Sequence, residues 1–394
     1  MAIVAAMAVP HPPIILPEIG RGEEKKIAKT AAAYREVMRR AAELEPDTVV
    51  ITSPHATMYS DYFHISPGKS ARGDFSAFRC PEVEIEAEYD AAFSKALADA
   101  CAEEDLPAGF LGEREPALDH GTMIPLYFLQ PALKTPVKVV RIGLSGLSAD
   151  VHYRLGRLIK DTAEKLGRRT VFIASGDLSH KLKEDGPYGF AKEGPVFDEA
   201  VTEDLGKADF LSLLTISPDL AEGAAECGLR SFWIMGALDC QRVHAELLAH
   251  EGTFGVGYGV AYFTPEGEDD ARDIGRQLID AETQAIAKVR EQEDAYVRLA
   301  RESLETFARS HTARAEGTAR GPAGQAGGLL RLHQEGRPAA WLHRHPGAGP
   351  PQPRRGDHLQ RCLGRHARPA LPAGHARRAA EARLRRRRAL RAGA

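Results

Sequence analysis

The sequence predicts an α/β fold: a central, mostly mixed β-sheet flanked by helices. Two observations carry this. Short apolar, β-branched runs alternate with amphipathic, densely charged segments over the first two thirds of the chain. The chain has 394 residues, 43% of them hydrophobic, which is enough for one large domain or two ordinary ones.

The elements follow in order. AIVAAMAVP opens the chain as a short apolar run closed by prolines, a buried strand. Residues 22–44 repeat apolar positions at helical spacing (Ile27, Ala31, Tyr34, Val37, Met38) above a charged face. DTVVITSPH at 47–55 is a second buried strand. YFHIS at 62–66 and VEIEAEY at 83–89 are shorter strands, and 90–103 is a helix. Residues 137–143 and 170–175 are strands on either side of a helix at 149–166. Residues 196–214 are helical, followed by the capping triplet SPD at 217–219, and 228–249 is expected to be helical too, with His250 at its end. The Gly-rich run 253–264 closes the sheet. A long helix, broken once, is expected over 268–309, with Asp269, Asp270 and Asp273 at its positive end.

Composition changes sharply after residue 316. Residues 317–394 hold 17 Arg, 6 His, no Lys and 3 acidic residues, a formal charge of +14, against −17 for the rest. They contain no Ile, Val, Phe, Tyr or Met, so a sheet has nothing to pack. A nucleic-acid-binding tail, a disordered tail and an out-of-frame translation of GC-rich coding DNA all fit. The last is preferred, because Arg, Ala, Gly, Pro and His are what shifted GC-rich codons give. No apolar run is long enough to span a membrane, the N-terminus lacks a basic signal-peptide region, and five scattered cysteines without a CxxC pair argue against a disulfide framework. The expected compartment is the cytoplasm.

Histidines carry the chemistry. His11 follows the first strand, His55 the second and His180 the strand at 170–175, while His120 sits in ALDHGTMIPL. Ligands bind outside the carboxyl ends of strands in open α/β sheets, so these histidines can converge. Two histidines and a carboxylate make the facial set of non-haem Fe(II), although the same donors suit zinc or manganese, and metal-free imidazoles can serve as acid and base. Glu226 in AECGLRSF is the candidate carboxylate. It could equally accept from the free N–H groups at a helix start, and Asp177, Asp119 and Cys227 compete with it. His64 is expected to be structural. His152, His244, His250 and His311 fall in helical contexts and default to surface or interface. Gly121 and Gly176 are expected to allow tight turns or close approach. GVGYG at 255–259 lacks the following helix of a dinucleotide loop.

VPHPP at 9–13, SPH at 53–55, LDHGTMIPL at 118–126 and SGDLSH at 175–180, in that order, resemble the class III extradiol ring-cleavage dioxygenases, the LigB-like superfamily. The resemblance spans roughly residues 4–264. It implies an α/β fold with Fe(II) held by His11, His55 and Glu226, proton handling by His120 and His180, and an aromatic substrate opened with O₂. AECGLRSF also resembles the Memo and AmmeMemoRadiSam system B branch, where a cysteine lies in this region. That branch implies a metal-binding or non-catalytic scaffold acting through protein partners. A zinc-dependent hydrolase or lyase on the same ligands is the third alternative. AYVRLARESLETFAR resembles the opening helix of an AMMECR domain. The expected organisation is therefore a LigB-like domain at 1–268, a linker and first AMMECR-like helix at 269–316, and the tail at 317–394.

Overall fold

The computed structural model describes residues 2–316; the Arg-rich segment 317–394 lies outside the described residues. Strands β1 (Ile3–Val9), β2 (Thr48–Ser53), β3 (Lys138–Gly143), β4 (Thr170–Ser175), β5 (Gln241–Glu251) and β6 (Tyr258–Glu268) form one sheet in the order β3-β2-β4-β1-β6-β5. The first four in that order are parallel. β6 runs antiparallel to β1, and β5 antiparallel to β6. The fold is thus α/β with a mixed central sheet.

Alternation divides the strand residues between two cores. Val50, Val140, Phe172 and Ala174 face one, and Val49, Ile51, Val171 and Ile173 the other. Burial on both faces is why β2 and β4 read as continuous apolar runs. The layers above and below are helices: α1 (Ala28–Glu43), α2 (Ala91–Glu103), α3 (His120–Leu129), α4 (Ala149–Leu166) and α5 (Glu193–Lys207). α1 and α3 supply residues to the second core, and α2, α4 and α5 to the first. Tyr34, Val37 and Met38 of α1 are fully buried, each contributing roughly 1.5–3 kcal/mol through lost apolar exposure.

Two expectations about elements need correction. The segment 228–249 is helical only at α6 (Leu229–Trp233), followed by a 3-10 turn to Leu238. Gln241–Glu251 is instead β5, the edge strand, paired along its length with β6. Its Ala, Leu and Glu favour a helix locally, and sheet pairing overrides that preference. His244 and His250 therefore lie on a strand. The helix expected over 196–214 is interrupted at Ala208, which adopts a left-handed conformation (φ 52°). Asp209 then caps a new helical turn by accepting from Ser212 N at 3.0 Å. His152, expected at a surface or interface, is fully buried in α4 against Phe63 and Trp233.

α7 (Ile274–Glu291) and α8 (Ala295–Glu316) follow. The first compact unit runs to Asp280, and a second begins at Ala281. Within the second, Arg301 pairs with Glu293 at 2.7 Å and with Glu305 at 3.3 Å. No helix among the described residues is long and apolar enough to cross a membrane.

Candidate metal centre

Three adjacent parallel strands, β2, β4 and β1, end on one side of the sheet and deliver the loops that carry His55, Asp177 with His180, and His11. The His11 and His55 rings meet edge to face at 4.8 Å, with Nε2 to Nε2 at 3.0 Å. His120, the first residue of α3, lies 4.0 Å from the His55 ring and 5.4 Å from the His11 ring, centroid to centroid.

The proton on His11 is placed by its neighbours. Pro125 has no N–H, so the Gly121 carbonyl one turn earlier in α3 has no helical donor. That carbonyl accepts from the Ser175 hydroxyl at 2.6 Å. Ser175 has a single proton and spends it there, so toward His11 Nδ1, 2.9 Å away, it acts as acceptor. His11 is therefore protonated on Nδ1, and its Nε2 lone pair faces His55. Metal-binding imidazoles are oriented in this way, the distal N–H held by a neighbouring acceptor. The His11 backbone N–H is fixed as well, donating to Asp177 Oδ1 at 2.8 Å.

Two glycines permit this packing. A Cβ on Gly121 would lie 2.4 Å from Ser53 Oγ, and one on Gly176 would lie 2.1 Å from the Gly228 Cα. Both serve close approach, and neither has a positive φ. The second contact brings the loop after β4 against the start of α6, where Glu226 and Cys227 sit.

Among the described residues, two groups of donors at this site lie within 4.8 Å of one another: His11, His55 and Cys227, and Asp177, His180 and Cys227. Cys227 Sγ is 3.6 Å from His11 Nε2 and accepts from Asp177 N at 3.3 Å. Glu226 belongs to neither group. Its Oε2 accepts from Leu229 N at 2.6 Å and caps α6, the alternative role its position offered. His180 belongs to the second group, its Nε2 4.0 Å from Asp177 Oδ2 and its ring stacked on Tyr188 at 5.1 Å. His64 is buried and structural, contacting the Leu111 carbonyl and Glu113, each at 3.1 Å.

Burial sets the electrostatics. It holds His11 well below the ordinary histidine range, aided by His55, and lowers His180 too. It raises Asp177, Glu226 and, strongly, Cys227. Burial would also raise Asp119, but the Arg141 guanidinium and the Ser53 hydroxyl outweigh it and hold that carboxyl well below the usual range. Asp119 is not grouped with the donors. It caps α3 and pairs with Arg141.

The donor set fits a divalent ion. Two ligands about 2.1 Å from one ion and about 90° apart stand about 3.0 Å apart, the His11–His55 separation. At zinc-like bond lengths, a nitrogen and a sulfur 3.6 Å apart subtend about 110°. The sequence reading did not single out Ser53, Ser175 or Arg141. Their signals were present: both VVITS and VFIAS end in serine where the loops leave the sheet, and Arg141 interrupts the apolar run VKVVRIG.

Histidines converging at the carboxyl ends of a mixed α/β sheet define an α/β protein with a candidate metal site. Residues 5–261 match the family model described as the catalytic LigB subunit of aromatic ring-opening dioxygenase, and the chain belongs to that family. It is 35% identical over 317 residues to Protein CA_C1420 of Clostridium acetobutylicum, covering 78% of this chain and 67% of that protein. It is 26% identical over 292 residues to the 2-aminophenol 1,6-dioxygenase beta subunit of a Pseudomonas species, covering 66% of this chain and 92% of that subunit. A solved structure, uncharacterized protein JW3007 from Escherichia coli K12, aligns with TM-score 0.45 and 15% identity over 66% of this chain and 99% of that one.

Proposed function

We propose that the chain is an Fe(II)-dependent extradiol dioxygenase that opens a catechol-like or 2-aminophenol-like ring with O₂. His11 and His55 would hold the metal, with an anion from the Glu226–Cys227 pair as third donor. The observation that carries this reading is the 3.0 Å approach of two imidazole nitrogens, one with its lone pair fixed by Ser175. Bound Fe(II) would supply a positive centre for the substrate's ring heteroatoms and electrons for O₂. His120 and His180 would take and return the substrate's phenolic proton. Phe78, 5.1 Å from His120, and Tyr188, stacked on His180, offer aromatic surface to a planar ring. His180→Ala should leave metal bound and slow turnover by roughly 10²–10⁴. The free thiols of Cys80, Cys101, Cys227 and Cys240 suit a reducing compartment, which supports the cytoplasm.

A second reading has its own observation. Cys227 stands beside His11 while Glu226 is occupied with its cap, and a His₂Cys site suits zinc or copper better than Fe(II). The chain would then be a Memo-like metal-binding protein that acts through protein partners without ring opening. Reading 269–316 as the start of a second, AMMECR-like domain rests on the helix motif AYVRLARESLETFAR alone.

The test is metal content of the anaerobically purified full chain, with His11→Ala and His55→Ala controls, followed by O₂ uptake with catechol and 2-aminophenol. Stoichiometric iron lost in both variants, with O₂ uptake in the parent, is the expected result. Bound metal without O₂ uptake selects the second reading. No uptake of Fe(II), Mn(II) or Zn(II) refutes both.

A further inference from the structure

We propose that Arg141, on a strand that contributes no ligand, is a positioning residue for His55 and His120. The inference rests on the metal-site reading above and extends it to a residue outside every motif.

Arg141 lies in β3, paired in register with Ile51 of β2, and is 1% exposed. A guanidinium there is costly unless every donor is engaged. Its Nε and Nη2 reach Asp119 Oδ2 at 3.1 and 3.0 Å, and Nη1 reaches the Glu115 carbonyl at 3.4 Å. Asp119 passes this constraint to the site along two routes. Its Oδ1 accepts from Ser53 Oγ at 2.5 Å, and that same hydroxyl oxygen accepts from the His55 backbone N–H at 3.2 Å. The carboxylate also takes Thr122 N at 3.0 Å and Thr122 Oγ1 at 2.8 Å, which locks the first turn of α3, where His120 begins the helix.

A buried ion pair contributes little net stability compared with apolar side chains of the same volume. What this one does contribute is direction. The Arg fork clamps Oδ2 while Ser53 Oγ and Thr122 N hold Oδ1, and the carboxylate so held fixes both the turn behind His55 and the helix end under His120. The tilted approach of those two rings, 4.0 Å between centroids, follows from the two anchors.

The test uses the full chain with Co(II) alone as probe. Arg141→Met should weaken Co(II) binding about 10–100-fold, as loss of a partner behind a ligand generally does, and shift the visible Co(II) bands. Arg141→Lys should recover part of the affinity, because it restores the charge without the fork. Ser53→Ala cuts only the Asp119–His55 route and should weaken binding in the same direction, which keeps the inference testable if Arg141→Met does not fold. The metal-free proteins supply an independent readout: at fixed pH the ¹⁵N ring resonances of His55 and His120 should move in both variants, while those of exposed His244 stay. Unchanged Co(II) affinity and unchanged ring resonances in a folded variant would overturn the assignment. Moved resonances in the variants, with no Co(II) binding by the parent, would leave Arg141's role standing and remove the metal reading.

Discussion

Ser175→Ala tests whether Ser175 sets the His11 tautomer. Ser175 is fully buried, and its oxygen stands between His11 Nδ1 and the Gly121 carbonyl. Removing it orphans one buried donor and one buried acceptor, each worth about 1–3 kcal/mol of stability. Nothing then prevents the proton from moving to His11 Nε2, the atom that must present a lone pair. Metal binding must reverse that shift and hold the ring without its anchor, so affinity should fall about 10–100-fold, or about 1.4–2.7 kcal/mol. Equilibrium dialysis with Zn(II) measures this, and urea unfolding measures the stability cost separately. Ser231→Ala is the control. Ser231 is also fully buried and donates to the Ser175 carbonyl at 2.8 Å, but does not touch His11. If the two variants bind Zn(II) equally well, Ser175 does not set the His11 tautomer.

Three further outcomes are expected. Burial lowers His152 to about 4, with Nδ1 on the Ser148 carbonyl and Nε2 buried without a partner; the unfolded chain therefore binds the extra proton first, and stability should fall by about 3 kcal/mol as pH drops from 6.5 to about 4. Urea midpoints at pH 7 and pH 5 check the sign, and His152→Leu should remove that part of the slope. Gly176→Ala forces a Cβ to within 2.1 Å of the Gly228 Cα, and should cost about 1–3 kcal/mol or more in urea unfolding; a neutral result would mean the two loops do not meet. Glu226→Ala should cost about 1 kcal/mol through the lost cap of α6, whereas Cys227→Ala should leave stability nearly unchanged and weaken Zn(II), and the reverse pattern in dialysis and unfolding would make Glu226 the ligand.

The elements that could be read from sequence are those whose burial pattern is local. Helix α4 and strand β4 stand at the predicted residues, because their apolar positions repeat at 3.6 and at unbroken strand spacing. β5 could not be read, since QRVHAELLAHE has the composition of a helix and becomes a strand only by pairing with β6. The same division holds at the site. His11 and His55 were visible because each follows an apolar strand at a proline turn. Asp119 was visible only as a rival carboxylate, and Ser53, Ser175 and Arg141 not at all, because the bonds Ser175–His11, Ser53–Asp119 and Arg141–Asp119 span 164, 66 and 22 residues of sequence. Periodicity carries no information about such pairs, and only the pairing of β1, β2, β3 and β4 in one sheet, with α3 packed against it, brings them together.

The third donor joins the metal question to the functional one. A carboxylate and a thiolate carry the same charge, so neutralising a divalent ion does not choose between Glu226 and Cys227. Position does not decide alone either, because the two are neighbours at the start of α6. Cys227 already lies against His11, held by the Asp177 backbone, whereas Glu226 must give up the Leu229 N–H to ligate. That cap is worth about 1 kcal/mol, while a bound divalent metal contributes on the order of 10 kcal/mol, so the ion can impose either arrangement. Fe(II), in the two-histidine, one-carboxylate set, would draw the carboxylate and leave open positions for substrate and O₂; zinc or Cu(I), which favour thiolate more, would keep Cys227, and the sulfur would then face those positions. Which side chain the metal selects is therefore the same question as whether the chain opens rings, and the cap on α6 is the small free-energy difference against which that selection works.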